Sequence, residues 1–336
     1  PSSVGKKGNI FGYPYTVEDA DLILVPVPWE ATVSFGAGAS WAPARILDVS
    51  SQLDFGIRHV DKPHEYPVAM SAKPAMPNAG AIREMCIKII RDWEQHGELE
   101  PDDAQILDQV NEACKEMVAG VKEMAGQYLD QSKIVATVGG DHSTCMGLIQ
   151  ALSEKHSDFG ILQIDAHMDL RDHYEGFDYS HASVMWNVIH EKSIKKLVQV
   201  GIRDYCEEET QKVEQLNEKV KVFFDEDMNL KKWQGFDWQE NINEIVSALP
   251  DKVYISLDVD GLDPSLCPNT GTPVPGGLGF YETINLIEQV VRSGREIIGF
   301  DISETGNTNW DATVAARLLF RSCVATGVSR GALQLS

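Results

Sequence analysis

The stretch Phe159-Gly160-Ile161-Leu162-Gln163-Ile164-Asp165-Ala166-His167-Met168-Asp169 decides the fold. Its first half is a short, mostly apolar run without strict alternation. A strand covered on both faces reads this way, and such strands belong to parallel sheets. In its second half Asp165, His167 and Asp169 recur at every second position, so in extended chain they share one face. In open α/β sheets ligands bind outside the carboxyl ends of the strands.

Outward from this stretch the pattern repeats. Asp21–Val27, Lys133–Gly139, Leu197–Gly201, Lys221–Phe224, Lys252–Asp258 and Glu296–Asp301 are short apolar runs of the same type. Between them lie stretches of helical spacing, clearest over Asp103–Leu129, Phe280–Arg292 and Ala312–Ala325. Strand–helix alternation implies right-handed crossovers. The fold class is α/β, with a mostly parallel, doubly wound sheet between helical layers. Asp61–Asn78, with four prolines, reads as a long ordered loop, and Ala81–Leu129 as a helical excursion. The chain is therefore expected to form one domain over 1–336, with a loop and helical insertion over 61–131.

Composition sets the outer bounds. The 336 residues are 43% hydrophobic and 24% charged, an ordinary globular balance that excludes disorder as the main state. No apolar run approaches the ~20 residues of a membrane helix, and Pro1–Gly8 has no apolar core of a secretory signal. With 29 basic and 51 acidic residues the formal charge is −22, which argues against nucleic acid and anionic membranes as partners. Such a surface suits a cationic ligand, or simply keeps the protein soluble. The six cysteines form no C-x-x-C pair and read as free thiols of a cytoplasmic protein.

Several strand ends carry the chemistry, among them Ile297–Phe300, which runs into Asp301-Ile302-Ser303-Glu304. Lys133–Val138 runs into Gly139-Gly140-Asp141-His142-Ser143, and Val253–Leu257 into Asp258-Val259-Asp260. With Asp165, His167 and Asp169 they offer His142, Asp258 and Asp260 to one crevice, a set of four carboxylates and two imidazoles. Oxygen and nitrogen donors without thiolate suit Mn²⁺ or its neighbours rather than structural zinc. Four carboxylates balance two divalent ions, and six ligands for two ions imply bridging carboxylates and ions ~3.5–4 Å apart. Each motif alone has a plainer reading: a D-x-D turn, or a helix start at G-D-H-S with Ser143 as its cap.

The motifs G-G-D-H-S, D-A-H-x-D and S-x-D-x-D-x-x-D-P, in this order, resemble those of the ureohydrolases: arginase, agmatinase, formimidoylglutamase, guanidinobutyrase and guanidine hydrolase. The resemblance runs from about Ile23 to Val324 and includes Ser34–Ile46 and Gly271–Gly277. It implies a three-layer αβα arginase-like fold, assembled as a homotrimer or homohexamer. It implies one ion on His142, Asp165, Asp169 and Asp258 and another on Asp165, His167, Asp258 and Asp260, with Mn²⁺ first and Ni²⁺ as the alternative. His181 matches the family's proton-relay histidine; unaided, it reads as a helix-start residue. Glu304 matches the acid that pairs with the substrate guanidinium. The implied reaction is hydrolysis of a guanidino compound to urea and an amine or ammonia.

The substrate is read from the loop Leu170–Ser180, which is acidic and aromatic where arginases carry an Asn-rich carboxylate grip. Beyond Arg171 and His173 it has few carboxylate-binding donors, so agmatine fits better than arginine, its ammonium near Asp172, Glu175 or Asp178. Trp29-Glu30-Ala31-Thr32, His181–Trp186 and Asn309-Trp310-Asp311 also resemble agmatinase-like proteins that include guanidine hydrolases, whose small pocket Trp310 or Trp186 would cap. Formimidoylglutamase and guanidinobutyrase remain as alternatives. A deacetylase of the same general fold keeps only one of the two metal positions. An inactive relative acting as a binding or assembly module would need a broken ligand set, and none of the six ligands is missing.

Overall fold

A computed structural model describes residues 8–33, 35–96, 99 and 103–335. Ser34, which opens one of the family-like segments, lies outside them, as does all of the N-terminal stretch Pro1–Gly8 except Gly8. The strands are β1 (Leu22–Val27), β2 (Val68–Met70), β3 (Ile134–Gly139), β4 (Phe159–Ile164), β5 (Ile194–Ile202), β6 (Val220–Phe224), β7 (Lys252–Asp258) and β8 (Glu296–Ser303). The helices are α1 (Ala42–Ser50), α2 (Ala79–His96), α3 (Asp103–Leu129), α4 (Met146–Lys155), α5 (Val184–Ile189), α6 (Glu207–Leu216), α7 (Asp225–Trp233), α8 (Trp238–Ser247), α9 (Phe280–Arg292) and α10 (Asn309–Ser329).

The strands form one sheet in the order β2-β1-β3-β8-β7-β4-β5-β6. Every pairing between them is parallel, so "mostly parallel" understates the sheet. The continuous apolar runs have a direct cause. Leu22 and Leu24 of β1 pack with α1 and α7–α10, while Ile23, Val25 and Val27 of the same strand pack with α2–α6 on the opposite face. Both faces bury apolar side chains, which gives the three layers of an arginase-like αβα sandwich.

α3 and α9 have the bounds their periodicity implied, whereas α10 runs past Ala312–Ala325 at both ends. Thr308 caps α10 by accepting from the Asp311 N–H. One expectation is corrected. Asp61–Asn78 is not all loop, because Val68–Met70 adds β2 beside β1 at the sheet edge. Three residues behind Pro67 are too few to show a strand pattern. α2 and α3 are the helical insertion between β2 and β3.

Leu162 of β4 is fully buried in the sheet's centre. Leu162→Ala should lower unfolding stability by about 2–5 kcal/mol, through lost transfer energy and the cavity left behind. A urea denaturation series measures it.

Candidate active site and metal centre

The sheet order explains how the motifs meet. β3, β8, β7 and β4 are four consecutive neighbours, so their parallel carboxyl ends lie side by side. β3 delivers His142, β8 Glu304, β7 Asp258 and Asp260, and β4 Asp165, His167 and Asp169. His142, His167, Asp169, His181, Asp258, Asp260 and Glu304 line one cavity of about 190 Å³. Gly140 permits the convergence. A Cβ there would lie 1.7 Å from the Trp29 carbonyl oxygen, so only glycine lets β1 and β3 close up at this edge.

Among the described residues three groups have ligand atoms within 4.8 Å of one another: one is His142, Cys145 and Asp301, and the two that face the cavity are His142, Asp165 and Asp169, and Asp165, His167 and Asp260. Asp165 belongs to both. Asp258 joins them, its Oδ2 3.5 Å from His142 Nδ1. His142 Nδ1 lies 2.7 Å from Asp169 Oδ2, and His167 Nδ1 2.9 Å from Asp260 Oδ2. With only protons to share, these groups perturb one another strongly. Burial and the neighbouring Asp260 and Asp165 push Asp258 well above the usual carboxylate range. Burial and Asp165 raise Asp169 to about 7. Burial would lower His167, but Asp260 and Asp165 raise it to about 12. Buried carboxylates this close call for cations between them, and their oxygen and nitrogen donors suit hard or borderline divalent ions.

The backbone aims these side chains. Asp258 accepts from the Asp260 N–H at 2.9 Å, Asp260 from the Ala166 N–H at 3.0 Å and Asp165 from the His167 N–H at 2.6 Å. Asp169 and Glu304 both have positive φ, 55° and 59°. Left-handed backbone at non-glycine residues is strained, and such residues cluster at functional sites. Asp141, not Ser143, caps the helical turn that starts at His142; its carboxylate accepts from the Ser143 N–H.

Glu304 is buried, and its Oε1 accepts from the His142 N–H at 2.9 Å. Burial and Asp141 raise its pKa well above the usual range. A Cβ at Gly271 would lie 3.2 Å from Oε2, so a side chain there would press on the carboxylate as the Gly271–Gly277 loop passes it. His181 opens a short helical turn capped by Ser180, as its unaided reading implies, and also faces the cavity. Its Nδ1 lies 3.3 Å from Ser180 Oγ and 3.4 Å from Thr32 Oγ1. Burial and the charges of His167 and His142 lower its pKa to about 3, so the ring is neutral at neutral pH.

Other expected residues fall elsewhere. Asp172 does not line the cavity; it pairs with Lys212 at 3.0 Å, because the loop turns its side chain outward to meet α6. Trp310 is 54% exposed and donates to the Ser265 carbonyl at 3.1 Å, so α10 directs it at the loop after β7 and not at the cavity. Trp186 stacks edge-on against His190 and under Lys212. Trp29 is core, and Glu30 holds the Gly38 and Ser40 amides.

The outer wall consists of Arg171, already noted in the loop after β4, and of residues that the motif reading passed over. Asp204, Tyr205 and Glu209 follow β5, and Arg171 and Tyr174 follow β4. The strand-end rule would have flagged Asp204, just past the run Leu197–Gly201. Arg203 beside it donates to the carbonyls of Asp260, Leu262 and Val274 and clamps two rim loops, a role with no sequence signal. The insertion also braces the rim: Arg83 of α2 donates to the Ala31 and Val33 carbonyls, and Asn111 of α3 to Gly176.

Residues 20–324 match the family model described as the arginase family. The chain belongs to this family and is a hydrolase of the guanidino C–N bond, of the agmatinase-like ureohydrolase branch. It is 32% identical to an N(1)-aminopropylagmatine ureohydrolase of Thermus thermophilus, over 94% of this chain and 93% of that one. It is 29% identical to the agmatinase of Pyrococcus horikoshii, over 90% and 91% of the two chains. The agmatine ureohydrolase of Thermoplasma volcanium superimposes with a TM-score of 0.73 at 23% identity, over 95% and 94% of the chains.

The low pKa of His181 has a stability consequence. Below the unfolded value of about 6.5 the unfolded chain takes up a proton that the native ring refuses until about 3. Stability contributed by the neutral ring is present above about 6.5 and lost as pH falls toward 3. His181→Gln should therefore shrink the drop in urea midpoint between pH 7 and pH 4.5, compared with the unsubstituted protein in the same buffers.

Proposed function

We propose that this chain is a binuclear metal-dependent ureohydrolase that cleaves a small guanidino substrate, agmatine first, into urea and an amine. The observation that carries the reading is the pair of ligand groups sharing Asp165 in the same cavity as Glu304 and His181. One ion would be held by His142, Asp165, Asp169 and Asp258, the other by Asp165, His167, Asp258 and Asp260, with Mn²⁺ ahead of Ni²⁺. When bound, such a pair supplies Lewis acidity that brings the ionisation of water toward neutral pH.

The chain's own residues do the rest. Glu304, oriented by the His142 N–H, holds the substrate guanidinium; a carboxylate matches its planar pair of N–H donors. The substrate's positive charge favours the ionised carboxylate that burial alone disfavours. His181, neutral and steadied at Nδ1, lines the cavity where it would help to relay a proton to the departing amine. Asp204, in place of Asp172, lines the cavity beside His167, its Oδ2 3.7 Å from Nε2, and would offer its carboxylate to the ammonium of agmatine.

A second reading has its own observation. The Arg171 guanidinium lines the cavity above the Tyr174 ring, 5.1 Å from its centroid, and no carboxylate lies within ion-pair distance among the described residues. It would suit the carboxylate of a guanidino acid. We further place the whole chain in one domain, in the cytoplasm, as a homotrimer or homohexamer. Six free cysteines support the compartment, and exposed Phe35, Trp41, Trp233 and Tyr281 supply apolar surface for assembly. No helix of the described residues is long and apolar enough to cross a membrane.

Urea release by Mn²⁺- and Ni²⁺-loaded protein, with agmatine, 4-guanidinobutyrate and guanidine side by side, decides the substrate. Agmatine should win, and Asp204→Asn should raise its KM about 2- to 5-fold, the worth of one exposed ion pair. If 4-guanidinobutyrate wins and Arg171→Ala abolishes that preference, the second reading replaces the first. Asp258→Ala should lose metal and turnover together. Glu304→Gln should keep both ions and lose about 10²–10³ in kcat; a fully active variant removes the guanidinium role.

A further inference from the structure

His142 has a second face. Its Nδ1 points at the carboxylate cluster, while Nε2 turns into the sheet and lies 2.8 Å from Ser256 Oγ. Ser256 on β7 stands in register with Asp301 on β8. Asp301 Oδ1 is 4.0 Å from the same ring nitrogen. Tyr254, two residues before Ser256, donates its hydroxyl to Asp301 Oδ2 at 2.7 Å, and Ser303 donates to Oδ1 at 3.4 Å. His142, Tyr254, Ser256, Asp301 and Ser303 are all at most 1% exposed.

Asp301 is out of place as a structural residue. No Lys or Arg pairs with it among the described residues, and a buried unpaired carboxylate is costly. Its three neighbouring hydroxyls offset part of that cost, and the only nearby group able to carry positive charge is His142. The direction of the hydrogen bonds gives it a use. An ionised carboxylate only accepts. Ser256 stands in register with Asp301 and helps to steady its charged form, so an ionised Asp301 draws the single hydrogen of that hydroxyl toward it. Its oxygen is left to accept, and the donor within reach is His142 Nε2–H. The hydroxyl alone would serve either tautomer; the carboxylate behind it removes the choice. With the proton on Nε2, the lone pair is on Nδ1, facing Asp165 and Asp169. Cys145 borders the same face, but Nε2 is already engaged by Ser256, so this trio of side chains is the back of the ligand and not another metal site.

We propose that Asp301, acting through Ser256 and backed by Tyr254, fixes the Nε2–H tautomer of His142 and so sets how tightly one of the two metal ions is held. Asp301 is a positioning residue: it acts through His142 and touches neither ion nor substrate. The inference rests on the binuclear reading above. Outer partners of metal-ligating histidines typically control affinity by about 10–100-fold.

The test uses the full-length protein with Mn²⁺ alone as the probe. Mn²⁺ per chain is measured by equilibrium dialysis over a range of free ion, together with the rate of release to a chelator. Asp301→Asn and Ser256→Ala should each weaken one of the two Mn²⁺ by about 10–100-fold and leave the other nearer its original affinity. Excess Mn²⁺ should restore most of the urea release. Tyr254→Phe, which leaves Ser256 in place, should act in the same direction and less. Melting temperatures without metal separate this from a folding defect: they should change little, while the added stabilisation by Mn²⁺ shrinks. If Asp301→Asn does not fold, Ser256→Ala, which removes a single oxygen, decides the matter. Two Mn²⁺ held with unaltered affinity and release in Ser256→Ala and in any folded Asp301→Asn would overturn the positioning role while leaving the binuclear reading intact. An unsubstituted chain that takes up no Mn²⁺ would overturn both.

Discussion

Four carboxylates crowd the carboxyl ends of adjacent strands, and their mutual repulsion is the constraint on which the rest of the structure depends. Asp165, Asp169, Asp258 and Asp260 are all at most 5% exposed. Water cannot screen charges so placed, and the Asp165 carboxylate raises the cost of ionising Asp169 and Asp258. Relief has to come from cations and from fixed dipoles. The imidazoles of His142 and His167 and the backbone N–H groups of Ala166, His167 and Asp260 supply part of it within the chain. Divalent ions would supply the remainder, which is why the donor set reads as a metal centre and not as a proton-sharing cluster.

Holding such a cluster open requires a stiff frame. The parallel sheet provides it, since β3, β8, β7 and β4 are each paired on both sides by other strands. The frame is then locked at its rim. Arg203 gathers carbonyls from two loops, Glu30 gathers amides from a third, and the insertion helices brace the segments near residues 31–33 and 176–178. The strained backbone at Asp169 and Glu304 is held by its own partners: the Asp169 carbonyl accepts from the Met185 and Trp186 N–H groups, and Glu304 donates its N–H to the Gly140 carbonyl and accepts from the Thr270 hydroxyl. Stability and function are thus separable here: layers of apolar side chains hold the sheet, and polar clamps hold the edge.

The same division explains what could be read without coordinates. Strand positions and the six ligand candidates were legible because parallel strands leave both a compositional and a positional mark: apolar runs, then acids and imidazoles at every second residue. β2 was not legible, for three residues beside Pro67 carry no period. Glu304 and His181 came from family resemblance, since a lone carboxylate past a strand and a lone histidine at a helix start have ordinary uses. Asp172 and Trp310 lie off the cavity, which no pattern signals, because a loop residue and a residue in the first turn of a helix carry no period that fixes their direction. Their direction depends on local partners, here Lys212 and the Ser265 carbonyl.

The uneven legibility follows from where each half of the substrate would be recognised. The guanidinium end meets groups rooted in strand ends, whose placement is dictated by the sheet and therefore by pattern. The other end would meet Arg171, Tyr174, Asp204 and Tyr205, rooted in the loops after β4 and β5, with Asp204 also reaching His167. Those loops can change charge and length without disturbing any strand. A scaffold built in this way keeps one reaction while its substrates vary. Arg171 and Asp204, opposite in sign on one cavity wall, are the part of this chain that its reaction class does not dictate. On the proposed reading, they are where its choice of substrate would be set.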